Sequence, residues 1–244
     1  MSHRYLDESL DLDAVRPGDR VAISGDEARH AVTVSRLRVG ERVSIGDGRG
    51  HVVEGPVAAT EPRRLEVEVE VVSDEPVASP RLTLVQALAK GDRDELAIQA
   101  ATELGVDRIV PWAAARSVSR WDGPKAEKGR ARWASIVREA VKQSLRARIP
   151  EVDPVAPTRD LPARLDGERL LLLVPGAETP LAAIRPDGRD LALAVGPEGG
   201  MDPAEIERLV AAGAEPVRLG DPVLRTSTAG PAAIAVLSVA LGRW

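Results

Sequence analysis

The sequence predicts an α/β protein in which a small β-barrel precedes a parallel sheet covered by helices. Short runs of alternating polar and apolar residues dominate residues 20–71, which is typical of a small barrel. After residue 80, apolar runs alternate with helical patterns, which is typical of a parallel sheet buried on both faces. A Pro- and Ser-rich stretch separates the two patterns. We therefore expect one domain at 1–72, a linker at 73–80 and a second domain at 81–244.

The composition fits an ordinary soluble globular protein and excludes several function classes. Hydrophobic residues make up 43% of the 244 residues and charged residues 29%. No apolar run approaches the roughly 20 residues of a membrane span, and the acidic N-terminal stretch lacks the apolar core of a secretory signal. The absence of Cys excludes disulfides, zinc–thiolate sites, Fe–S clusters and Cys nucleophiles. We expect a cytoplasmic protein.

Although the net charge of the chain is −5, its central region is basic. Residues 1–72 carry a net charge of −4, residues 73–150 of +4 and residues 151–244 of −5. Within 116–148 there are ten basic and three acidic residues. A basic segment favours an anionic partner such as nucleic acid, and a solvated helix face is the alternative.

In the first domain the alternation predicts strands at 20–23, 41–45, 51–54 and 65–71. The glycine-rich stretch 46–50 lies between two of them. It is not followed by a helix, so it indicates a hairpin loop rather than a dinucleotide-binding turn.

In the second domain the patterns predict five strands and, between the first three of them, two helices. Gly105 ends the first helix and Pro150 ends the second. The predicted strands are Leu82–Leu88, Arg108–Val110, Leu170–Val174, Leu191–Val195 and Pro216–Leu219; the predicted helices are Asp94–Leu104 and Lys125–Arg148.

Each of the last three strands runs into a loop rich in Gly and Pro: 174–176, 196–200 and 219–222. Ligands bind outside the carboxyl ends of parallel strands, and glycine lets a ligand approach the main chain closely. The sequence therefore predicts a cleft walled by these loops. A set of plain turns is the alternative.

A helix start follows the loop 196–200. Asp202 is the expected N-cap, Pro203 the first helical residue and Glu205 the partner in a capping box, with Met201 and Ile206 spaced as a hydrophobic staple. A helix N-terminus favours an anion or a polar ligand. The Gly-Lys-Ser/Thr ending of a P-loop is missing.

An almost wholly apolar helix is expected to run to Leu241. Thr226, Ser227 or Thr228 is its expected N-cap. A helix that is apolar all round is buried all round, either in the core or at a subunit interface.

Motifs spread over nearly the whole chain resemble the RsmE family of SPOUT methyltransferases. No single motif is specific, but their order and spacing are. They are Gly196-Pro197-Glu198-Gly199-Gly200, Leu219-Gly220 and Leu224-Arg225-x-x-Thr228-Ala229; Leu88-Ala89-Lys90-Gly91, Thr102-Glu103-Leu104-Gly105-Val106 and Arg116-Ser117-Val118; Arg138-Glu139-Ala140 with Gln143, Arg146 and Pro150; and Arg4, His30, Arg36 and Gly40.

The resemblance implies a PUA-like barrel that helps bind RNA, and a SPOUT domain whose C-terminal region forms a deep trefoil knot. It implies S-adenosyl-L-methionine as cofactor, no metal, and a homodimer. The implied activity, part of ribosome biogenesis, is methylation of N3 of uridine 1498 in 16S rRNA within the 30S subunit. One departure is Ser227, which stands where the family commonly has Glu; no carboxylate can act at that position.

The loops and the resemblance together give a set of expected site residues. The cofactor-binding residues are Val174, Pro175, Gly176, Gly196, Pro197, Glu198, Gly199, Gly200, Leu219, Gly220, Leu224, Thr228 and Ala229. The RNA-binding residues are Arg4, His30, Arg36, Arg38, Lys90, Arg116, Arg130, Arg132 and Arg146.

The implied reaction requires a group that removes the proton of uridine N3, or one that stabilises the anion that forms on N3, O2 and O4. Arg225 is the candidate for stabilising charge on the base, and Glu198 and Glu139 are candidates for accepting the proton. As alternatives, Glu198 fixes its loop and Glu139 pairs with basic residues of its helix.

Two other function classes remain open at this point. The first is a non-catalytic RNA-binding or ribosome assembly factor with the same fold. The second is a nucleotide-dependent oxidoreductase, which would need a GxGxxG after its first strand, where this chain has Ala89-Lys90-Gly91-Asp92.

Overall fold

The computed structural model describes residues 3–244, apart from the side chain of the first of them. The chain forms two compact units. The first unit comprises residues 1–77 together with 141–149, and the second comprises 78–140 and 150–244. The first unit thus contains a segment from far along the chain, which no sequence pattern had indicated.

Six strands form the sheet of the first unit. They are β1 (His3–Leu6), β2 (Arg20–Ser24), β3 (Arg42–Gly46), β4 (His51–Glu61), β5 (Arg64–Glu68) and β6 (Val71–Asp74). Their order is β1-β3-β4-β5-β2, with β6 paired to β4. β1 and β3 are parallel, and the other pairs are antiparallel. The inward-facing side chains, among them Tyr5, Ile23, Ile45 and Leu65, form a common core.

The alternating pattern located β2 and β3 but not the other details of this unit. β4 is longer than predicted because it continues through Gly55 and Pro56, residues that usually end strands. The run predicted at 65–71 is two strands. A helix α1 (Gly25–Arg29) and a π-helical turn (His30–Val34) were not predicted, since elements of five residues are too short to show a period.

Seven strands form the sheet of the second unit, and the predicted parallel sheet is confirmed. They are β7 (Leu82–Ala87), β8 (Arg108–Ala113), β9 (Glu151–Val152), β10 (Ala156–Pro157), β11 (Arg169–Leu173), β12 (Leu191–Val195) and β13 (Glu215–Val217). Their order is β10-β8-β7-β12-β11-β13, with β9 on β8, and every described pair is parallel. β7 and β12 are buried along their whole length.

Five further helices follow in the chain. They are α2 (Arg93–Glu103), α3 (Pro124–Gln143), α4 (Leu161–Arg164), α5 (Pro203–Ala211) and α6 (Thr226–Ala240). α6 packs against α2 and against strands β7 and β12. Trp112, Leu172 and Leu209 belong to one apolar cluster of this unit. Within residues 3–244, no helix combines the length and the apolar character needed to cross a membrane.

Two helix predictions were wrong at one end of the helix. The helix expected to reach Arg148 ends at Gln143, and Leu145 then adopts a positive φ of 57°, so the chain turns before Pro150. α6 has Arg225 as its N-cap residue, without a side-chain cap, rather than Thr226, Ser227 or Thr228. One side of α6 is exposed in the single chain, with Val239 at 63%; core burial therefore does not cover the whole helix, and burial at a subunit interface stays a prediction.

The glycine-rich loop 46–50 receives the segment 147–149 within the first unit. Ile149 N donates to Gly48 O at 2.9 Å, and Gly50 N donates to Ala147 O at 3.2 Å. A Cβ on Gly48 would lie 2.6 Å from Ile149 Cδ1, and one on Gly50 would lie 2.6 Å from Glu75 O. Glycine is needed here because another part of the chain lies against the loop.

Candidate active site

A cavity of about 520 Å³ opens beyond the carboxyl ends of β11 and β12 in the second unit. That volume lies within the range of small-molecule sites. The lining residues come from the three loops that follow β11, β12 and β13, from α5, and from the start of α6, with Arg93 from α2. They are Arg93, Leu173, Val174, Pro175, Val195, Gly196, Pro197, Glu198, Gly200, Met201, Ile206, Leu219, Gly220, Pro222, Val223, Leu224, Arg225, Thr226 and Ala229.

The structure brings together most of the residues expected to bind a cofactor. Of that set, Gly176, Gly199 and Thr228 do not line the cavity. Residues that sequence reasoning missed include Leu173 and Val195, which end their strands and could have been found by extending each loop backwards by one residue. Arg93 lies far from the loops in sequence, and only the fold places it here.

The wall formed by the loop 196–200 is main chain rather than side chain. A Cβ on Gly196 would lie 2.9 Å from Met201 Cγ and 3.2 Å from Met201 N. Gly200 has a positive φ of 73°, a conformation that glycine adopts without strain. The loop therefore closes tightly on the start of α5, and its backbone faces the cavity.

Glu198 ties this loop to the loop that precedes α2. Its Oε1 accepts hydrogen bonds from Lys90 N at 2.9 Å and from Arg93 Nη1 at 3.0 Å. Burial alone would raise the pKa of Glu198, but backbone N–H donors, that of Lys90 among them, and the Arg93 guanidinium lower it below its ordinary value. The carboxylate is therefore charged at neutral pH and engaged in contacts within the protein.

Contacts from the loop that follows β8 hold the other side of the loop 196–200. Arg116 Nη1 donates to Gly199 O at 3.3 Å, and its Nη2 lies 3.2 Å from Asp202 Oδ2. Glu205 Oε1 accepts from Ala115 N at 2.9 Å. The cavity loop is therefore held in shape from two neighbouring loops.

The predicted start of α5 is confirmed. Asp202 is the N-cap residue, and its Oδ1 accepts from Ala204 N at 3.0 Å. Glu205 completes the capping box, and Pro203 is the first helical residue. Met201 is buried, and Ile206 packs against the same apolar cluster.

The three expected catalytic residues lie in different surroundings. Arg225 is exposed at the start of α6 and lines the cavity. Among the residues that the structure describes, no carboxylate pairs with its guanidinium. Glu198 also lines the cavity but is held by Lys90 and Arg93. Glu139 is exposed on α3 and is not among the residues that line the cavity.

Among the RNA-binding candidates of the first unit, Arg4 is bound to other residues of that unit. Arg4 is half-buried; its Nε donates to Ser44 Oγ at 3.2 Å and its Nη1 donates to Leu145 O. Burial lowers the pKa of Arg4. His30, Arg36 and Arg38 are exposed near the π-helical turn. Arg146, also in this unit, lies beyond the end of α3.

The RNA-binding candidates of the second unit are mostly engaged within the protein. Arg130 Nε donates to Val152 O at 2.9 Å. Arg132 forms a bidentate ion pair with Glu95, with Nη2 at 2.6 Å from Oε2. Arg116 holds the cavity loop as described. Lys90 uses its backbone N–H to bind Glu198, and its side chain is exposed.

A cluster of ligand-type side chains surrounds His51 in the first unit. His51 Nδ1 lies 2.9 Å from Asp47 Oδ2 and 3.3 Å from Asp13 Oδ1, and Nε2 lies 3.6 Å from Asp74 Oδ1. In the part of the chain that the structure describes, Asp13, Asp47 and His51 of this cluster are the one group close enough to share a metal ion. The hydrogen bond to Asp47 raises the pKa of His51, so the geometry suits a protonated imidazole held by carboxylates.

Family models match both units of the chain. A model described as "RNA methyltransferase domain" matches residues 77–238, and one described as "RNA methyltransferase PUA domain" matches residues 23–70.

Whole-chain relatives point in the same direction. A Mycobacterium tuberculosis protein named "Ribosomal RNA small subunit methyltransferase E" is 42% identical, over 98% of this chain and 92% of its own length. A Bacillus subtilis protein of the same name is 31% identical, over 96% of this chain and 95% of its own.

Solved structures share the fold. The methyltransferase E of Neisseria gonorrhoeae, solved bound to S-adenosyl methionine, has a TM-score of 0.86 and 29% identity over 98% of both chains. A putative methyltransferase of Legionella pneumophila, in complex with the same cofactor, has a TM-score of 0.83 and 28% identity, also over 98% of both chains.

A PUA-type unit joined to a parallel α/β unit, with a cavity at the carboxyl ends of its strands, defines the class of RNA methyltransferases. Within that class, the chain belongs to the ribosomal RNA small subunit methyltransferase E family, as its identity to the mycobacterial and Bacillus relatives over nearly its whole length shows. The resemblance drawn from the sequence motifs is confirmed. The trefoil knot stays a prediction.

Proposed function

We propose that the protein transfers a methyl group from S-adenosyl-L-methionine to N3 of uridine 1498 of 16S rRNA in the small ribosomal subunit. The observation that carries the proposal is the cavity itself, because its walls are the three motif-bearing loops of this methyltransferase family. The coarser activity is methylation of small-subunit rRNA with S-adenosylmethionine as donor. The named base and position are the finer proposal.

The residues present fit the donor. Apolar side chains such as Leu173, Ile206 and Leu224 offer a surface for the adenine ring, and the main chain of 196–200 offers polar groups to its edge. Because a Cβ at Gly196 would meet Met201, glycine lets the loop pack tightly against the residues that precede α5. When bound, the donor supplies a methyl group on a positively charged sulfur.

Arg225 is the residue that we assign to the reacting base. Uridine N3 carries a proton, and its loss leaves negative charge on N3 and the two ring carbonyl oxygens. An unpaired guanidinium at the cavity stabilises such charge more strongly than one already paired with a carboxylate. Arg225 has this arrangement among the described residues, and it therefore favours the ionised base.

Glu198 is better suited to hold the site than to take the proton. Its pKa is lowered, so its carboxylate is a weak base, and its Oε1 is occupied by Lys90 and Arg93. Glu139 lies on α3, outside the cavity lining. We therefore assign neither of them the role of proton acceptor. The N3 proton passes to solvent water, and Arg225 is the member of the predicted catalytic set that we retain.

The target base must leave its stack, because N3 is on the Watson–Crick edge. The RNA around it is held by phosphate contacts. In the second unit, Lys125 and Lys128 are exposed near the start of α3 and, within residues 3–244, form no ion pair. They are better placed for phosphates than Arg130 and Arg132, which bind Val152 and Glu95.

We place the protein in the cytoplasm as a homodimer acting on the assembled 30S subunit. Exposed apolar side chains in the second unit support a subunit interface: Val223 is 76% exposed, Val239 63% and Trp244 62%. Sedimentation of the purified protein would test the dimer, and a monomer at micromolar concentration would refute it.

The test of the function is methyl transfer from labelled S-adenosylmethionine to 30S subunits that lack the modification. The expected product nucleoside, identified by mass spectrometry, is N3-methyluridine at position 1498. Naked 16S rRNA and fully modified subunits are the matched controls. Transfer to another base would overturn the finer proposal, and donor binding without transfer to any rRNA would favour a non-catalytic assembly factor.

A further inference from the structure

Two buried polar side chains, Thr83 and Gln86, interrupt the apolar interior of β7. Leu82, Leu84, Val85 and Ala87 are fully buried apolar residues of that strand. Gln86 is fully buried among them, in register with Val195, the last residue of β12 before the cavity loop. Burying an amide is costly unless its hydrogen bonds are made, so its place in this strand needs a reason.

The amide of Gln86 is only partly satisfied. Its Nε2 donates to Ala87 O at 3.1 Å and to Thr226 Oγ1 at 3.0 Å. Its Oε1 is buried and has no hydrogen-bond partner among the described residues. An unsatisfied buried acceptor destabilises the fold. Packing alone therefore does not account for glutamine here, and a cost of this kind is characteristic of functional positions.

Thr226 connects this amide to the cavity wall. Because Thr226 Oγ1 accepts from Gln86, its own hydrogen is directed to Gly196 O, 2.8 Å away. Thr226 and Gly196 both line the cavity. The next residue, Pro197, has no N–H, so the Gly196 carbonyl is the only polar group of the peptide between them. The direction of the Gly196 carbonyl therefore determines whether this part of the cavity wall presents a hydrogen-bond acceptor to a ligand.

We propose that Gln86 and Thr226 are positioning residues that lock the Gly196–Pro197 peptide in the orientation that admits the methyl donor. The proposal rests on the proposed function for the identity of that donor. With the lock in place, the wall is formed before the donor arrives, and binding does not have to order it. Without the Thr226 hydroxyl, the carbonyl has no donor among the residues that the structure describes, and it turns towards the cavity.

Calorimetric binding of S-adenosylmethionine to the purified full-length protein tests the lock without relying on turnover. Thr226→Val keeps the shape and removes the hydroxyl; we expect the Kd to rise about 10-fold, as the loss of one buried hydrogen bond implies. Thr226→Ser restores the hydroxyl and should bind within about 2-fold of the wild type. Thr83→Val makes the same change in β7 away from the cavity and should leave the Kd unchanged.

A second variant separates positioning from simple structural support. Gln86→Met removes the unsatisfied acceptor, so we expect an equal or higher Tm together with a Kd raised about 3- to 10-fold. A merely structural glutamine would lose Tm and affinity together, which would overturn the proposal. So would a Thr226→Val protein that binds like the wild type, or a Thr226→Ser protein that binds as weakly as Thr226→Val.

The outcomes also distinguish this proposal from the proposed function. A wild-type protein that binds no S-adenosylmethionine would refute the function and the positioning role with it. A wild-type protein that binds, with variants that bind equally well, would refute the positioning role alone.

Discussion

Two glycine-rich loops of this chain differ in what lies against them. The loop 46–50 of the first unit is filled by the chain's own segment 147–149, whereas the loop 196–200 of the second unit faces an open cavity. Both need glycine because something lies close to the backbone. The comparison teaches that glycine marks a close approach without saying what approaches, and that only the surrounding fold distinguishes a packed loop from a binding loop.

The largest expected effect is on the filled loop. Gly50→Ala puts a Cβ against Glu75 O, at a φ of 116°. Strain and overlap together should lower the free energy of unfolding by about 3 kcal/mol, measured by urea denaturation. Donor affinity of the folded fraction should not change. Gly18→Ala is the matched control: its φ is 95°, but nothing lies within 4 Å, so it should lose only about 1 kcal/mol. Equal losses in the two variants would show that the neighbouring segment is irrelevant.

Arg225 also lines the cavity, and its substitution tests whether the protein uses this residue in catalysis. Arg225→Ala should lower kcat about 100-fold, because charge on the base loses its partner, while the Kd for S-adenosylmethionine stays within about 2-fold. Single-turnover transfer to 30S subunits measures the first and calorimetry the second. Arg225→Lys keeps the charge and should recover part of the rate. A variant whose donor affinity collapses instead would place Arg225 in donor binding.

A Cβ added to the loop 196–200 should weaken donor binding more than it lowers the stability of the protein. Gly196→Ala meets the flexible side chain of Met201 first, so the free energy of unfolding should fall by only about 1 kcal/mol. The reshaped wall should raise the donor Kd about 10-fold. Denaturation and calorimetry on one protein sample measure both. If stability fell as far as in Gly50→Ala, the two loops would not differ in kind.

The smallest effect concerns Glu198 and its pH dependence. Its pKa is lowered in the folded state, so its contribution to stability is fully present above the ordinary value of about 4.5 and is lost as the pH falls through the folded pKa. The wild type should therefore exceed Glu198→Gln in stability at pH 7, and the difference should shrink below pH 4.5. Denaturation at several pH values measures it. Methyl transfer at pH 7 should survive the substitution, and its complete loss would restore Glu198 as the proton acceptor.

Local patterns predicted most of what lies in the second unit. The apolar runs located the strands, with Leu191–Val195 correct at both ends, and the capping residues from Asp202 to Glu205 behave as expected. The strand-end loops met at one cavity because parallel strands align their carboxyl ends. These features depend on neighbours in the sequence or on a general rule of sheet geometry.

The remainder depended on contacts between distant residues, which no local pattern contains. Arg93 reaches the cavity through Glu198, and Gln86 through Thr226. Arg130 and Arg132, both predicted to bind RNA, also contact Val152 and Glu95, which lie far from them in the sequence. The end of α3 was misplaced because residues 144–149 are rich in good helix formers, while their packing on the first unit turns the chain away.

The return of residues 141–149 to the first unit has a consequence for biosynthesis. A nascent chain that has exposed only its first 77 residues lacks the segment whose Ile149 N donates to Gly48 O and whose Ala147 O accepts from Gly50 N. N-terminal domains generally fold first during synthesis, but here the N-terminal unit must wait until residue 149 has left the ribosome. Residues 78–140 of the second unit have by then also been translated, so the two units cannot fold strictly one after the other during synthesis.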